Sequence, residues 1–535
     1  MSARDGYFKR EADISERSQH MKDCLLIPMI DDGTGKFIMD QRAVNERLEA
    51  VTGNSIYEAA GKGAATIQAS HGRALRAYCN LYGRMPSDDQ LAAAHKAMEN
   101  VLALSIKGKT LPGGIFESAE MSTTEGIIMR DRMIALILPV LLVTVTANMT
   151  TAIPGDFNQS EIFRIRRIAG STFGDLTKGQ VIGQNFNGQY PSMDQRHLVG
   201  TGNGTKTGSS HEFKLDSATK FSKVMPFKKK SIKILHDRNI VGQDNGDGTL
   251  FGSFTIGGST VTVTGTVNYD SGIVDPVFST APATGIEVHI GVDINIEKDP
   301  TLIPLVDHEM DSRVLYPHEA AIAGNVTLQA LWGLRREFNL NADNMKMLAM
   351  RNILAADKDR KVLRDLYFYS KDERSWVMTV PDTLYFQEHY ETLRIDLLGI
   401  DQVLMDRTEV SGLVGIVADA ASSIVFRSLK EPFFSPAPGY RRIPQPHYVG
   451  KLFGVWDLYE DPNGIPYESL CYARGRNPGE SGYVTGDAIP ALSFKHAMMR
   501  DLQYKDTLWE LGYRDLNPFN GREYFIKLKM VPAQQ

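Results

Sequence analysis

YVGKLFGVWDLYEDPNGIPYESLCYARGRNPGESGYVTGDAIPAL, residues 448–492, carries the order of segments that decides the fold. Leu452, Trp456 and Leu458 alternate with Phe453, Val455, Asp457 and Tyr459, the period-2 pattern of a strand with one better-buried face. Asp461-Pro462-Asn463-Gly464 closes a turn, because proline presets φ and Asn-Gly tolerates positive φ. Tyr467 to Tyr472 gives a second strand. Arg474 to Gly482, rich in glycine and interrupted by Pro478, must be a loop, and a third strand runs toward Ile489-Pro490-Ala491-Leu492.

Two further blocks flank this one. Arg132 to Pro154 joins an arginine, an apolar run, Pro139-Val140-Leu141 and a downstream Thr151-x-x-Pro154. Pro304 to Leu366 leads from a strand-like piece through Thr327-Leu328-Gln329-Ala330 and Phe338-Asn339-Leu340-Asn341-Ala342 into a long helix. In this order, and with Gly450, Leu452, Tyr459, Asp461, Pro462, Leu470, Tyr472, Gly475, Gly482, Ile489, Pro490 and Leu492 as matching residues, the chain resembles the major capsid proteins of tailed bacteriophages, particularly the T-even type.

The resemblance implies an α+β, HK97-like capsid fold with a peripheral domain (a long spine helix plus β-strands), an axial domain, an extended E-loop with a β insertion, and a helical N-terminal region. The expected division is 1–130 for the helical N-terminal region or arm, 131–317 for the start of the capsid domain, the E-loop and the inserted meander, 318–383 for the peripheral domain, 384–500 for the axial domain, and 501–535 for the return to the peripheral domain. It also implies self-assembly into hexamers and pentamers of an icosahedral shell around double-stranded DNA. The partners would be further copies of the chain, with portal, scaffold, maturation protease and decoration proteins. Location in the virion after synthesis in the bacterial host cytoplasm follows from the same resemblance. The rival readings are another repeating virion component, such as a tail sheath protein, and an enzyme with an inserted β domain.

At 535 residues the chain is too long for one compact core. Its 59 Lys plus Arg against 64 Asp plus Glu give a net −5, so there is no general electrostatic drive to coat nucleic acid. Cys24, Cys79 and Cys471 have no C-x-x-C spacing, which excludes a disulfide framework or a zinc ribbon as the organising device. The start, MSARDGYFKREADISERS, lacks the apolar run of a signal peptide. Met133 to Val145, interrupted by Pro139, falls short of the roughly 20 residues that span a bilayer, so no membrane partner is expected.

Ile67, His71, Leu75, Tyr78, Cys79 and Tyr82 recur at helical spacing, with Gly83 where a helix end wants it. Ser87-Asp88-Asp89-Gln90 is a capping box for a second helix carrying Leu91, His95, Met98 and Leu102, and the two helices are expected to pack together. His71 and His95 sit on apolar stripes and read as core residues rather than metal ligands. Thr110–Gly114 and Ser122–Thr124 read as a linker.

Gly155 to Pro317 reads as strands and turns. Gly257-Gly258, Asp270-Ser271-Gly272 and Ala283-Thr284-Gly285 punctuate an antiparallel meander, and Ile286, Val288, Ile290, Val292, Ile294 and Ile296 alternate strictly. Asn344 to Tyr369 lacks glycine and proline and predicts a helix of roughly 40 Å capped by Asp343, with Lys358, Arg360, Lys361 and Arg364 on a solvated face. Leu384–Leu393 and a small-residue helix over Val410–Leu429 follow, and Tyr524, Ile526, Leu528 and Met530 form a final strand.

Signals for catalysis, cofactors or metals are weak, and none of these sites is assigned. Gly200 to Thr207 lacks the glycine before lysine and the strand-then-helix setting of a phosphate loop. His211-Glu212 and His318-Glu319 lack a second histidine at helical spacing, and Asp244, Asn245, Asp247 and Gly248 read as a hairpin turn rather than a calcium loop. The basic run Lys220, Lys223, Lys228, Lys229, Lys230, Lys233 and Arg238 reads either as a solubilising surface or as a face for a neighbouring subunit's Glu297, Asp307, Glu309 and Asp311.

Overall fold

Five α-helices occupy the described residues before the first strand: α1 (Ala3–Leu25), α2 (Gln41–Thr52), α3 (Ala64–Tyr82), α4 (Asp88–Ile106) and α5 (Thr124–Val143). The computed structural model describes residues 3–31, 37–38, 40–53, 55–106, 124–183, 186–338, 342–381, 385–477, 479–495 and 503–531. The expected linker at 110–114 and 122–123, the block 339–341, Leu384 and Pro478 lie outside them. Gly83, at φ 66°, ends α3 in the left-handed conformation that glycine tolerates, and its N–H reaches the Cys79 carbonyl at 2.9 Å. The Ser87 N–H donates to Gln90 Oε1 at 3.1 Å, one half of the expected capping box.

Helices α3 and α4 do not pair with each other as the sequence predicts. Instead α3 packs on α5 and α2, while α4 packs on α1 and α5. Their stripes are those of a multi-helix layer, in which each helix has more than one neighbour. Pro139 does not interrupt α5. Its missing N–H would leave the Ala135 carbonyl bare, and the Ser70 hydroxyl of α3 donates to that oxygen at 2.9 Å.

The chain folds as two units, Met1–Arg164 with Asp311–Gln535, and Ile165–Met310. After β1 (Thr151–Ala152), strand β2 (Ser160–Ala169) leads into the second unit. That unit contains β3 (Asp194–Thr201), β4 (Leu215–Asp216), α6 (Ser217–Phe221), β5 (Lys233–His236), β6 (Asn239–Asp244), β7 (Thr249–Ile256), β8 (Ser259–Asn268), β9 (Ile273–Phe278) and β10 (Glu287–Asp293). They form an eight-stranded sheet in the order β3-β10-β5-β6-β7-β8-β9-β4; β7, β8 and β9 are consecutive as the expected meander has them, but its last strand, β10, lies between β3 and β5 instead of beside β9. The alternating residues Val288, Ile290, Val292 and Ile294 are fully buried in its core. Strand β11 (Val306–Leu315) returns beside β2 as a two-stranded ribbon.

The remaining elements of the first unit are β12 (His318–Thr327), α7 (Leu328–Phe338), α8 (Ala342–Tyr369), β13 (Glu373–Val377), α9 (Phe386–Thr408), β14 (Leu413–Asp419), α10 (Ala420–Arg427), β15 (Phe434–Pro436), β16 (His447–Leu452), β17 (Trp456–Asp461), β18 (Glu468–Ala473), β19 (Tyr483–Lys495), β20 (Gln503–Leu516) and β21 (Phe525–Val531). They make a four-stranded sheet, β1-β19-β20-β12, and a seven-stranded sheet, β13-β21-β18-β14-β17-β16-β15. Helix α8 has 28 residues, about 42 Å at 1.5 Å per residue, and packs Met350 and Leu354 against Leu508 of β20. Asp343 falls inside its first turn, and the side chain of that residue lies outside the described set.

The structure corrects two expectations of secondary structure. Leu413–Asp419 is not helical but a central strand, parallel to β17 and antiparallel to β18, with almost every residue buried. A continuous apolar run without 3.6-residue periodicity suits a strand covered on both faces. Asp419 then caps the short α10, its carboxylate accepting from the Ala421 and Ser422 N–H groups. Residues 452–459 are not one strand, because Phe453 (φ 51°) and Gly454 (φ 72°) turn the chain between β16 and β17. The final strand β21 lies between β13 and β18 in the seven-stranded sheet, while β20, which precedes it, pairs with β12 and β19 in the other.

Candidate assembly core and interlayer junction

The long helix α8 is held to its sheet by charges as well as by apolar contact. Lys358, expected on a solvated face, has a side chain only 15% exposed, with Nζ 2.7 Å from Glu510 and 3.2 Å from Asp487. Glu510 is wholly buried and also takes an ion pair from Arg514, four residues further along β20. Burial alone would lower the Lys358 ammonium, but the Asp487 and Glu510 carboxylates outweigh it and hold its pKa above the ordinary lysine value. Arg364 does point to solvent, paired loosely with Asp357 at 3.7 Å. Lys361 reaches Asp365 at 3.2 Å, and Asp365 accepts from the Tyr483 hydroxyl at 2.7 Å. A cavity beside Lys358, walled by Ala93, Ala97, Ile137, Leu354 and Pro490, has room for a few waters.

A second junction ties the helical layer to the loop that follows β18. Arg474, first residue after that strand, donates from Nη2 to both oxygens of Asp89 at 3.0 Å and to Ser87 Oγ at 2.8 Å, and from Nη1 to the Ala147 carbonyl at 3.0 Å. Asp89 also accepts from the Ala152 N–H at 2.8 Å, so a buried carboxylate is fully engaged. Nearby, Arg84 reaches Asp457 of β17 at 2.9 Å, and the rings of Tyr82 and Tyr448 lie 4.7 Å apart, centre to centre. Burial raises the Asp457 carboxyl, and Arg84 partly offsets this.

The candidate ligand residues are satisfied structurally. His71 is buried with Nδ1 3.0 Å from the Tyr57 hydroxyl and Nε2 2.9 Å from the Ile134 carbonyl. A carbonyl only accepts, so Nε2 carries the proton, and burial lowers the ring to about 4. His95 Nδ1 faces Arg17 at 3.0 Å, and burial with that charge lowers it to about 4. Among the described residues no group of three or more His, Cys, Asp or Glu could hold a metal ion. Residues 200–207 open no helix, while Asp244 and Asp247 accept from Gly246 and Thr249 N–H groups in the β6–β7 turn, both at 2.9 Å. Cys24, Cys79 and Cys471 are free thiols, and burial pushes Cys471 up to about 12. No described helix is long and apolar enough to cross a membrane.

Two members of the basic run, Lys228 and Lys229, find partners inside their own unit. Lys228 pairs with Asp293 at 3.2 Å and Lys229 lies over the Tyr269 ring. Glu309 pairs with Arg166 at 2.8 Å, and Asp311 with Arg164 at 3.6 Å. Helix α9 buries Leu393, Leu397, Ile400 and Leu404 against the seven-stranded sheet, yet its other face exposes Ile395 (68%), Leu398 (47%) and Met405 (39%). Sequence alone does not reveal these exposed apolar positions, because only the first part of the helix is recognisable there.

The family described as "Domain of unknown function (DUF8615)" matches residues 3–144, which span the helical layer. Protein IncB of Escherichia coli is 30% identical over 182 residues, 31% of this chain and 83% of that protein. The chain belongs to the same family as Protein IncB. Among solved structures it is similar to the jumbo bacteriophage PhiKZ capsid, at 9% identity and TM-score 0.32, covering 70% of this chain and 89% of that one. It is also similar to a chain of Gordonia phage Cozz, at 10% identity and TM-score 0.28, covering 43% of this chain and 74% of that one.

Proposed function

We propose that the protein is the major capsid protein of a tailed bacteriophage, a structural protein that assembles with itself into hexamers and pentamers of an icosahedral shell enclosing double-stranded DNA. The observation that carries this reading is the arrangement of the three sequence blocks. Apart from residues 304–310 they lie in one unit, where a 28-residue helix is fixed across a four-stranded sheet and the same unit holds a seven-stranded sheet. In this reading α8 is the spine helix, the β2–β11 ribbon is the stem of the E-loop, the eight-stranded unit is its insertion, and α9 with the seven-stranded sheet is the axial domain. The exposed stripe of α9 then serves contacts between copies, and repetition around a closed shell multiplies modest contacts. Neither catalysis nor a cofactor enters the account, and portal, scaffold, protease and decoration proteins are partners of the assembly rather than of a pocket.

Sedimentation velocity of the purified full-length chain tests the reading. Species far larger than the 59.4 kDa chain are expected. A single slow boundary at that mass, persisting when concentration is raised, contradicts it.

A further inference from the structure

Helices α1 to α4 hold the rest of the first unit through several buried partners, and those partners are spread along the chain. Ser70 and His71 donate to the Ala135 and Ile134 carbonyls of α5, at 2.9 Å each. The Tyr78 hydroxyl donates to Asn148 at 2.7 Å, and Gln90 to the Ala147 carbonyl at 2.8 Å. Asn100, 4% exposed, donates to the carbonyls of Gly155 at 3.0 Å and Ala488 at 2.8 Å, bridging the exit of β1 and the middle of β19. Arg474 and Arg84 complete the seam through Asp89 and Asp457.

Lifting this layer off would strip partners from two backbone carbonyls of α5, from Gly155 and Ala488, from the Ala152 N–H and from a buried guanidinium. Each such group, once buried without a partner, opposes separation. The apolar seam is continuous as well, since Ile67, Leu75, Leu91 and Met98 share one core with Leu138, Leu458 and Leu492.

We propose that residues 3–106 are a permanent wall of the subunit, held by these contacts rather than by the chain connection to α5, and retained in the assembled particle. The retention half rests on the shell reading; the docking half does not.

The test uses the full chain with a sequence-specific protease site inserted between Ile106 and Thr124. After cutting, verified on a denaturing gel, the two pieces should elute together at the position of the uncut chain in native size exclusion. Combining Arg474→Ala with Asn100→Ala should lower the urea concentration at which the pieces separate, whereas a substitution of exposed Glu46 should not. Pieces that separate in native buffer overturn the proposal. Subunit mass from purified particles provides the second arm. Full-length subunits support retention, and subunits shortened by the N-terminal layer overturn it while leaving the shell reading standing. Absence of particles counts against the shell reading alone, and the cut chain still decides whether the wall is permanent.

Discussion

Arg474 and Asp89 are separated by 385 positions in sequence and joined by a two-pronged contact, with Arg474 Nη2 3.0 Å from each carboxylate oxygen. Their side chains are 12% and 5% exposed, so the pair works in a medium of low polarity. Arg474→Ala strands the carboxylate, and breaking a buried pair from one side costs about 3–5 kcal/mol. The thermal midpoint of the variant should fall clearly, and Arg474→Lys should rescue little, because a single ammonium does not span both Asp89 and the Ala147 carbonyl, which Nη2 and Nη1 hold separately. An unchanged midpoint for Arg474→Ala would remove the junction from the account.

Leu354→Pro breaks a backbone hydrogen bond midway along α8 and clashes with the preceding turn, at a cost of about 3 kcal/mol or more. Leu354 is 7% exposed and faces β20, so packing is lost as well. Insoluble or unfolded chain is the expected outcome in an expression trial. Soluble variant with the circular dichroism of the parent would mean that no continuous helix passes through this position.

Three histidines should make the fold sensitive to acid. His71, His95 and His197 are each lowered to about 4, chiefly by burial, from an ordinary value near 6.5. Below 6.5 the unfolded chain takes up protons that the folded rings refuse, so stability is present at neutral pH and is lost as the pH falls from about 6.5 toward 4. For fully buried His71 this amounts to roughly 2 kcal/mol at pH 5. Thermal melts between pH 7 and 5 should show the fall, and His71→Gln should flatten it while lowering stability at pH 7. Parallel curves for parent and variant would exclude His71 as a contributor.

The basic run is expected to matter to its own unit rather than to assembly. Lys228→Glu, Lys229→Glu and Lys230→Glu together oppose Asp293 with like charge and remove the cation over Tyr269. Half-exposed pairs of this kind contribute about 0–1 kcal/mol each. A modest loss of thermal stability with particle yield unchanged is the outcome expected. Loss of particles at unchanged subunit stability would return the run to an intersubunit role.

Several elements are legible in sequence because their signal is local. Helix α8 stands out as a long stretch free of glycine and proline, and the meander as strict alternation punctuated by Gly257-Gly258 and Asp270-Ser271-Gly272. Leu413–Asp419 misleads because small and β-branched apolar residues in a strand buried on both faces leave no alternation to read. The turn at Phe453 gives no warning, since a bulky residue rarely adopts positive φ. The environment of Lys358 is invisible for a different reason. Its partners Asp487 and Glu510 lie more than a hundred residues downstream, and only the folding of β19 and β20 beneath α8 takes the side chain out of solvent. The same holds for Arg474 and Asp89, neither of which has a local motif that singles it out.

Electron microscopy of the expressed full-length chain tests the central claim most directly. The account predicts closed shells built from rings of six and five subunits, with the chain at its full 59.4 kDa in each. Open tubes, or dispersed monomers under every condition of concentration and salt, would contradict it.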